Sequence, residues 1–333
     1  MNRLANRVTY CGWGGEIMGP IHDQHGLEQG GINSRDLYKI YNNDLLKKVQ
    51  ESMQGVSLGD GLVVSCVGQA DDVCLLSNDL HSLNNLLQLT LSYCKQYHIQ
   101  LCTDKTKLLK TDRGNSDSFS FFNPVTIFNQ EINFTTQAEH VGVLRSSAGN
   151  LPHLLGRICA HKKSKAALLS SGVARRHRGN VAAALKLHSM YSLPVLLSGI
   201  PSLLLSSSEV NIVDIHHRKT LNSLLKLYPS TPHAFTYFIA GSLPAKAIVH
   251  QRQLGLFNMI CNLPFDPLHR RAKYVLVCLP PSHKSWFSQL RDKCLLYEIP
   301  YPLELLLINP LSKDSFKKLI KSKIMNYWEE KLI

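Results

Sequence analysis

The chain has 333 residues, of which 44% are hydrophobic and 18% charged, a globular composition that excludes a disordered or low-complexity protein. That length can bury a sizeable core and form two or three domains. The net charge is +13, but residues 1–150 hold 12 basic and 15 acidic side chains while the remainder holds 25 and 9. An acidic first half followed by a basic second half suits metal chemistry beside a polyanion, and suits equally a generally basic surface.

Nine cysteines occur without a CxxC pair, so neither a zinc module nor a disulfide framework is indicated. The opening MNRLANRVTYCGWGGE lacks an apolar signal core, and no apolar run approaches the roughly 20 residues that cross a bilayer. The expected setting is intracellular, cytoplasmic or nuclear, with no secretion and no membrane partner.

Residues 1–25 carry Gly12, Gly14, Gly15, Gly19 and Pro20 without a period and read as loop. Gly26–Ser34 (GLEQGGINS) is a glycine-rich loop ending in a good N-cap, Ser34. The helix Arg35–Gln50 follows, with Leu37, Ile40, Tyr41, Leu45 and Val49 at core spacing. Gly55–Gly61 reads as a turn that feeds Leu62–Ser77, LVVSCVGQADDVCLLS. Two apolar runs of strand length meet there at Asp71 and Asp72, which predicts a β-hairpin with the acid pair at its tip. Like charges a few Å apart disfavour each other's ionisation. A divalent cation held by hard carboxylate oxygens relieves this, although an Asp-Asp pair is also an ordinary feature of solvated turns.

Asp79 caps a helix whose stripe is Leu83, Leu86, Leu87, Thr90, Cys94 and Tyr97. Lys105–Leu109 reads as the next strand, and Val125–Leu144 alternates as a hairpin. From Leu151 the pattern becomes helical, with Leu154, Leu155, Ile158, Leu168 and Leu169 on an apolar face. Basic clusters follow one another there: HKKSK (Lys162, Lys163, Lys165), RRHR (Arg175, Arg176, Arg178) and HHRK at 216–219. They suit either solvated helix surface or a grip on phosphates. Prolines 194, 201, 229, 232 and 244 divide the later helices, and Pro310–Ile333 forms a lysine-rich amphipathic helix. The histidines show no metal-ligand spacing.

The ordered set of HGLEQGGINS at 25–34, QADD at 69–72 and HIQLCTDKTK at 98–107 resembles the reverse transcriptases of non-LTR (LINE-type) retrotransposons. That family carries an RQGG-x-x-SP loop, an F/Y-ADD hairpin and a G-L-x-L-N-x-x-KTK strand, in this order. The resemblance implies an α+β fold. A partial polymerase palm at 26–150, a small antiparallel sheet backed by helices, precedes a basic, mostly helical thumb-like domain at 151–240. A helical C-terminal region of unassigned role occupies 241–333, and GSLPAKAIVHQRQLGLFNMICNLP at 241–264 is loosely similar to the family's region beyond the thumb. It implies that Asp71 and Asp72 hold Mg²⁺ or Mn²⁺ and carry two-metal nucleotidyl transfer. Lys105 would sit near the nucleotide phosphates and protonate the leaving pyrophosphate. It places Gln29, Gly30, Gly31, Ser34 and Gln69 at the template and the incoming deoxynucleotide, and the basic clusters on the backbone of an RNA template–DNA primer duplex.

The departures are specific. Arg35 stands at a usual proline, Gln69 at a usual aromatic residue, and His98 and Cys102 at a usual Gly and Asn. The family's further aspartate lies on an earlier strand, and Asp23 is too close to the QGG loop to serve as it. The expectation is a chain truncated on its N-terminal side, inactive alone. The alternative is a non-catalytic nucleic-acid-binding protein that uses its basic half.

Overall fold

The computed structural model describes residues 7–23, 31–59, 61–111, 125–128, 130–132, 134–173, 179–262, 267–280, 284–300 and 311–332. The chain divides into two compact units, Met1–Cys102 and Thr103–Ile333, so the break falls inside the stretch read as a palm. Mixed helices and small, mostly antiparallel sheets bear out the α+β class.

The first unit opens with strands β1 (Arg7–Trp13) and β2 (Glu16–Asp23), where loop was expected. They pair antiparallel through Trp13↔Glu16, and Gly14 and Gly15 take positive φ, the geometry of a two-residue hairpin turn. Helix α1 (Ser34–Glu51) follows, then β3 (Val56–Gly59), β4 (Leu62–Val64), β5 (Cys66–Gln69), β6 (Asp72–Leu75) and α2 (Leu80–Gln96). The predicted turn at 55–61 is thus largely strand. Gly59 at φ 100° permits the bulge by which β3 pairs with β4.

The expected first apolar run is two strands, not one. It breaks at buried Ser65, whose N–H donates to Gln50 Oε1 (3.0 Å) while Gln50 Nε2 donates to Val63 O (2.6 Å). One glutamine of α1 therefore supports the run where it leaves the β3–β4 ladder for the β5–β6 ladder. Behind these strands Leu45, Val49, Leu86 and Tyr93 form a small core. Leu37 and Ile40, expected in it, are exposed. On α2 the core position belongs to Tyr93, while Tyr97 is 37% exposed. Asp79 caps α2 as expected, accepting from Ser82 N–H at 2.8 Å.

The second unit begins with short strands: β7 (Leu108–Leu109), β8 (Val125–Ile127), β9 (Gln130–Ile132), β10 (Phe134–Thr135), β11 (Gln137–His140) and β12 (Val143–Ser146). The strand expected at Lys105–Leu109 shrinks to two residues, and it pairs in parallel with β10. The expected hairpin at 125–144 is two hairpins, β8–β9 and β11–β12. Every sheet among the described residues is two-stranded, so no continuous palm sheet is formed there.

Nine further helices follow among the described residues: α3 (Leu151–Ser170), α4 (Val181–Leu187), α5 (Leu193–Leu197), α6 (Ser207–Leu225), α7 (His233–Ala240), α8 (Ala245–Cys261), α9 (Pro267–Cys278), α10 (Trp286–Leu296) and α11 (Lys313–Leu332). Two cores meet on α8. Ala245 and Val249 join Leu154, Leu196, Leu197 and Val213; Ala247, Leu254 and Phe257 join Leu290, Phe316, Ile320 and Ile324. A helix apolar on both sides is a buried helix. The helical segments within Val181–Ser202 contain an 18-residue window of mean hydropathy 1.2, apolar and long enough by composition to span a bilayer. Ala184, Leu193, Leu196, Leu197 and Ile200 there are buried in this unit, and a π-turn at His188–Ser192 precedes Pro194. The turn resets the backbone where proline cannot donate its hydrogen bond.

Candidate functional site

The Asp71–Asp72 turn is the tip of the β5–β6 hairpin. Gln69 pairs with Asp72 across a two-residue turn of Ala70 and Asp71, and both carboxylates are exposed. One face of α1, repeating every fourth residue, carries the hairpin. Tyr38 lies beside Asp71: its hydroxyl pKa is raised first by burial and then by the Asp71 charge. Asn42 Nδ2 donates to Ala70 O at 3.4 Å, Leu46 O accepts from Cys66 Sγ at 3.5 Å, and Gln50 holds the base. Gly68 lets the strand seat closely on α1: a Cβ there would lie 2.9 Å from Leu46 Cδ1, the movable end of that side chain. Ala70 itself sits at φ 54°, a left-handed conformation that costs a non-glycine residue about 1 kcal/mol.

Successive residues of a strand point to opposite faces, so neighbouring carboxylates at a strand start do not form a two-ion cradle by themselves. Among the described residues no group of three or more His, Cys, Asp or Glu side chains is arranged to hold a metal ion. Asp71 and Asp72 thus stand without a third such group beside them among the described residues; the sequence reading expected the second ion's ligand to be missing.

The other predicted site residues are scattered. Gln29 and Gly30 lie outside the described residues. Gly31 O accepts from Ser34 N–H at 3.1 Å, but Asn33, not Ser34, occupies the N-cap of α1, and it makes no side-chain cap bond. Gln69 is exposed at the end of β5, and Lys105 is exposed in the turn before β7, in the second unit.

On α3, Lys162 and Lys163 are exposed, whereas Lys165 reaches across to α6 and donates to Ser223 Oγ at 2.7 Å. Its pKa is lowered, first by burial and then by Lys219. His216 is likewise lowered by burial and then by Lys162, Lys219 and Lys165, so these cations share one face of the α3–α6 pair. Arg175, Arg176 and Arg178 lie outside the described residues.

The sequence reading missed a file of buried histidines: His161 on α3, His188 in the π-turn and His217 on α6. His188 Nε2 lies 3.2 Å from His217 Nδ1, and the His161 and His188 rings are 5.8 Å apart. Burial holds all three neutral, with pKa values lowered to about 4, 3 and 4. Their only sequence signal was one histidine in each of three separate helical segments.

No curated protein matches the chain, and no solved structure matches it. Residues 10–136 match the family model of the reverse transcriptase (RNA-dependent DNA polymerase), a span that contains the Asp71–Asp72 hairpin, so this segment resembles a reverse transcriptase domain.

Proposed function

We propose that residues 10–136 derive from the palm of a retrotransposon reverse transcriptase of the non-LTR type, in which the Asp71–Asp72 turn is the carboxylate hairpin of the polymerase site. The observation that carries this reading is the hairpin itself. Two adjacent acids stand exposed on a turn fixed by α1, within a segment that matches the reverse transcriptase family. Nucleotidyl transfer of this type needs two divalent ions held by oxygens from separate strands. Both acids here belong to one turn, and among the described residues no third carboxylate is grouped with them. A misplacement of about 1 Å in such a site costs roughly a hundredfold in rate.

The purified chain is therefore expected not to extend a DNA primer on an RNA template with Mg²⁺ or Mn²⁺. Extension above background that vanishes in Asp71→Ala would overturn this and point to a complete carboxylate set.

A second reading is supported by the shared cationic face of α3 and α6. Lys162 and Lys219, with Lys163 exposed beside them, suit the phosphate backbone of a duplex irrespective of sequence. In that reading the chain binds nucleic acid without polymerising. Lys162→Ala with Lys163→Ala should weaken binding to all duplexes alike and flatten the salt dependence by roughly two phosphate contacts. Salt-independent binding would exclude it.

A further inference from the structure

We propose that the cleft enclosed by α6, α8 and α10 is a binding site for a phosphate group. The cleft lies wholly within the second unit, apart from the carboxylate hairpin, and has a volume of about 210 Å³. Liquid water occupies about 30 Å³ per molecule, so a tetrahedral oxyanion fits with several waters of its shell.

Its walls are helix faces. Lys246, His250 and Gln253 come from α8 at positions i, i+4 and i+7, while Asp292 and Lys293 come from α10. Ser207, the first residue of α6, completes the wall, beside a helix end that Glu209 already caps by accepting from Ser206 N–H at 2.7 Å.

The decisive residue is Lys293. Its side chain is only 8% exposed, it lines the cleft, and among the described residues it makes no side-chain hydrogen bond or ion pair. Its ammonium opens to solvent through the cleft, and an anion there would replace that water with a charge-assisted hydrogen bond. Burial lowers its pKa to about 8, against the opposing pull of Asp292, so the amine still carries its proton at pH 7. Lys246 stands at the rim as a second, exposed cation. Asp292 is also exposed, where water and salt screen it, and it opposes the anion without cancelling the charge of Lys293.

The site is also braced. His250 Nδ1 is 2.8 Å from the Tyr297 hydroxyl. Gln253 Nε2 donates to Leu203 O and Gln289 Nε2 to Leu205 O, so both amides tether the segment that leads into α6. A cleft fixed in this way pays little to order itself around a ligand.

The test is equilibrium binding of inorganic phosphate to the full chain, followed by calorimetry. Sulfate should compete; chloride at equal ionic strength should not. Saturable binding is expected, weakened roughly tenfold in Lys293→Met and several-fold in Lys246→Gln, and tightened in Asp292→Asn. Unchanged binding in Lys293→Met, or no saturable binding in the millimolar range, overturns the proposal. If Lys293→Met loses its helical circular dichroism, Lys246→Gln and Lys293→Arg decide instead: the first must weaken phosphate and the second must retain it. An oligoribonucleotide with and without a 5′-phosphate, beside a nucleoside monophosphate, then separates a polynucleotide end from a free phosphate as the source.

Discussion

In the first unit the chemically capable groups stand outside. Asp71 and Asp72 are exposed at a hairpin tip, and behind them the core cluster is four buried residues, Leu45, Val49, Leu86 and Tyr93. In the second unit polar groups lie inside. His161, His188 and His217 are buried between helices, and Tyr237 donates to Asp214 at 2.7 Å while Asp214 also accepts from Ala245 N–H at 2.7 Å. A small core holds few charged groups against their desolvation, and the first unit keeps its hairpin carboxylates and its described histidines at the surface. The larger helical core admits such groups, provided they stay neutral or hydrogen-bonded. The two units should therefore fail under different stresses.

Acid should produce the largest difference. In the unfolded chain a histidine titrates near 6.5, whereas burial lowers His161, His188 and His217 to about 4, 3 and 4, and His250 to about 3. Between those values the unfolded state binds protons that the folded state refuses. The stability these groups contribute is thus complete above pH 6.5 and is lost as the pH falls toward 4. Each unit of displacement is worth about 1.4 kcal/mol, so the combined loss is on the order of 10 kcal/mol, comparable to the whole stability of a typical domain. Denaturation followed by fluorescence of Trp286 and Trp328, both in the second unit, should show it. In His188→Gln the slope of stability against pH near 5 should be shallower. Hydrogen exchange in the first unit, whose described histidines His22, His81 and His98 are exposed, should change far less. An equal acid response of both units would break the comparison.

The first unit should instead be sensitive to backbone crowding. A Cβ on Gly55 would overlap Val64 O and Ser65 Cα, and backbone atoms cannot swing aside as side chains do. Gly55→Ala should cost about 3 kcal/mol, at the upper end of overpacking penalties, with exchange accelerated through residues 56–75. Gly68→Ala meets only the flexible end of Leu46 and should cost much less. A reversed order would mean that the β3–β4 ladder is not seated as described.

The same contrast explains what was legible in the sequence. The Asp71–Asp72 hairpin could be read because apolar strands flank an acid pair that has nowhere to go but the surface. The cap at Asp79 was equally local. Ser65, the break between two strands, could not be read, because it depends on Gln50 fifteen residues away. Trp13-Gly14-Gly15-Glu16 carried a hairpin signal that the exposed, unpatterned strands on either side obscured. Leu37 and Ile40 fitted the helical period of α1, yet the packed faces are set by Asn42, Leu45, Leu46 and Val49, which lie against the hairpin and α2. The histidine file is assembled from helices 27 and 29 residues apart, and no short-range spacing announces it.

The smallest expected effect has the opposite sign and falls on the hairpin itself. Ala70 holds φ 54°, where the Cβ crowds the backbone, and the neighbouring turn is kept in place by Asn42 on its carbonyl and by the pairing of Gln69 with Asp72. Glycine adopts this conformation without the steric cost, though it also gains freedom in the unfolded chain. The first term is about 1 kcal/mol and the second somewhat less, so Ala70→Gly should be neutral or stabilise the first unit by a few tenths of a kcal/mol. Strain of this kind persists where a fold needs a particular side-chain placement, here the two carboxylates on the turn. If Ala70→Gly destabilises the unit by more than about 1 kcal/mol, the turn is not strained at Ala70. The methyl group would then be packed against the α1 face that carries the hairpin.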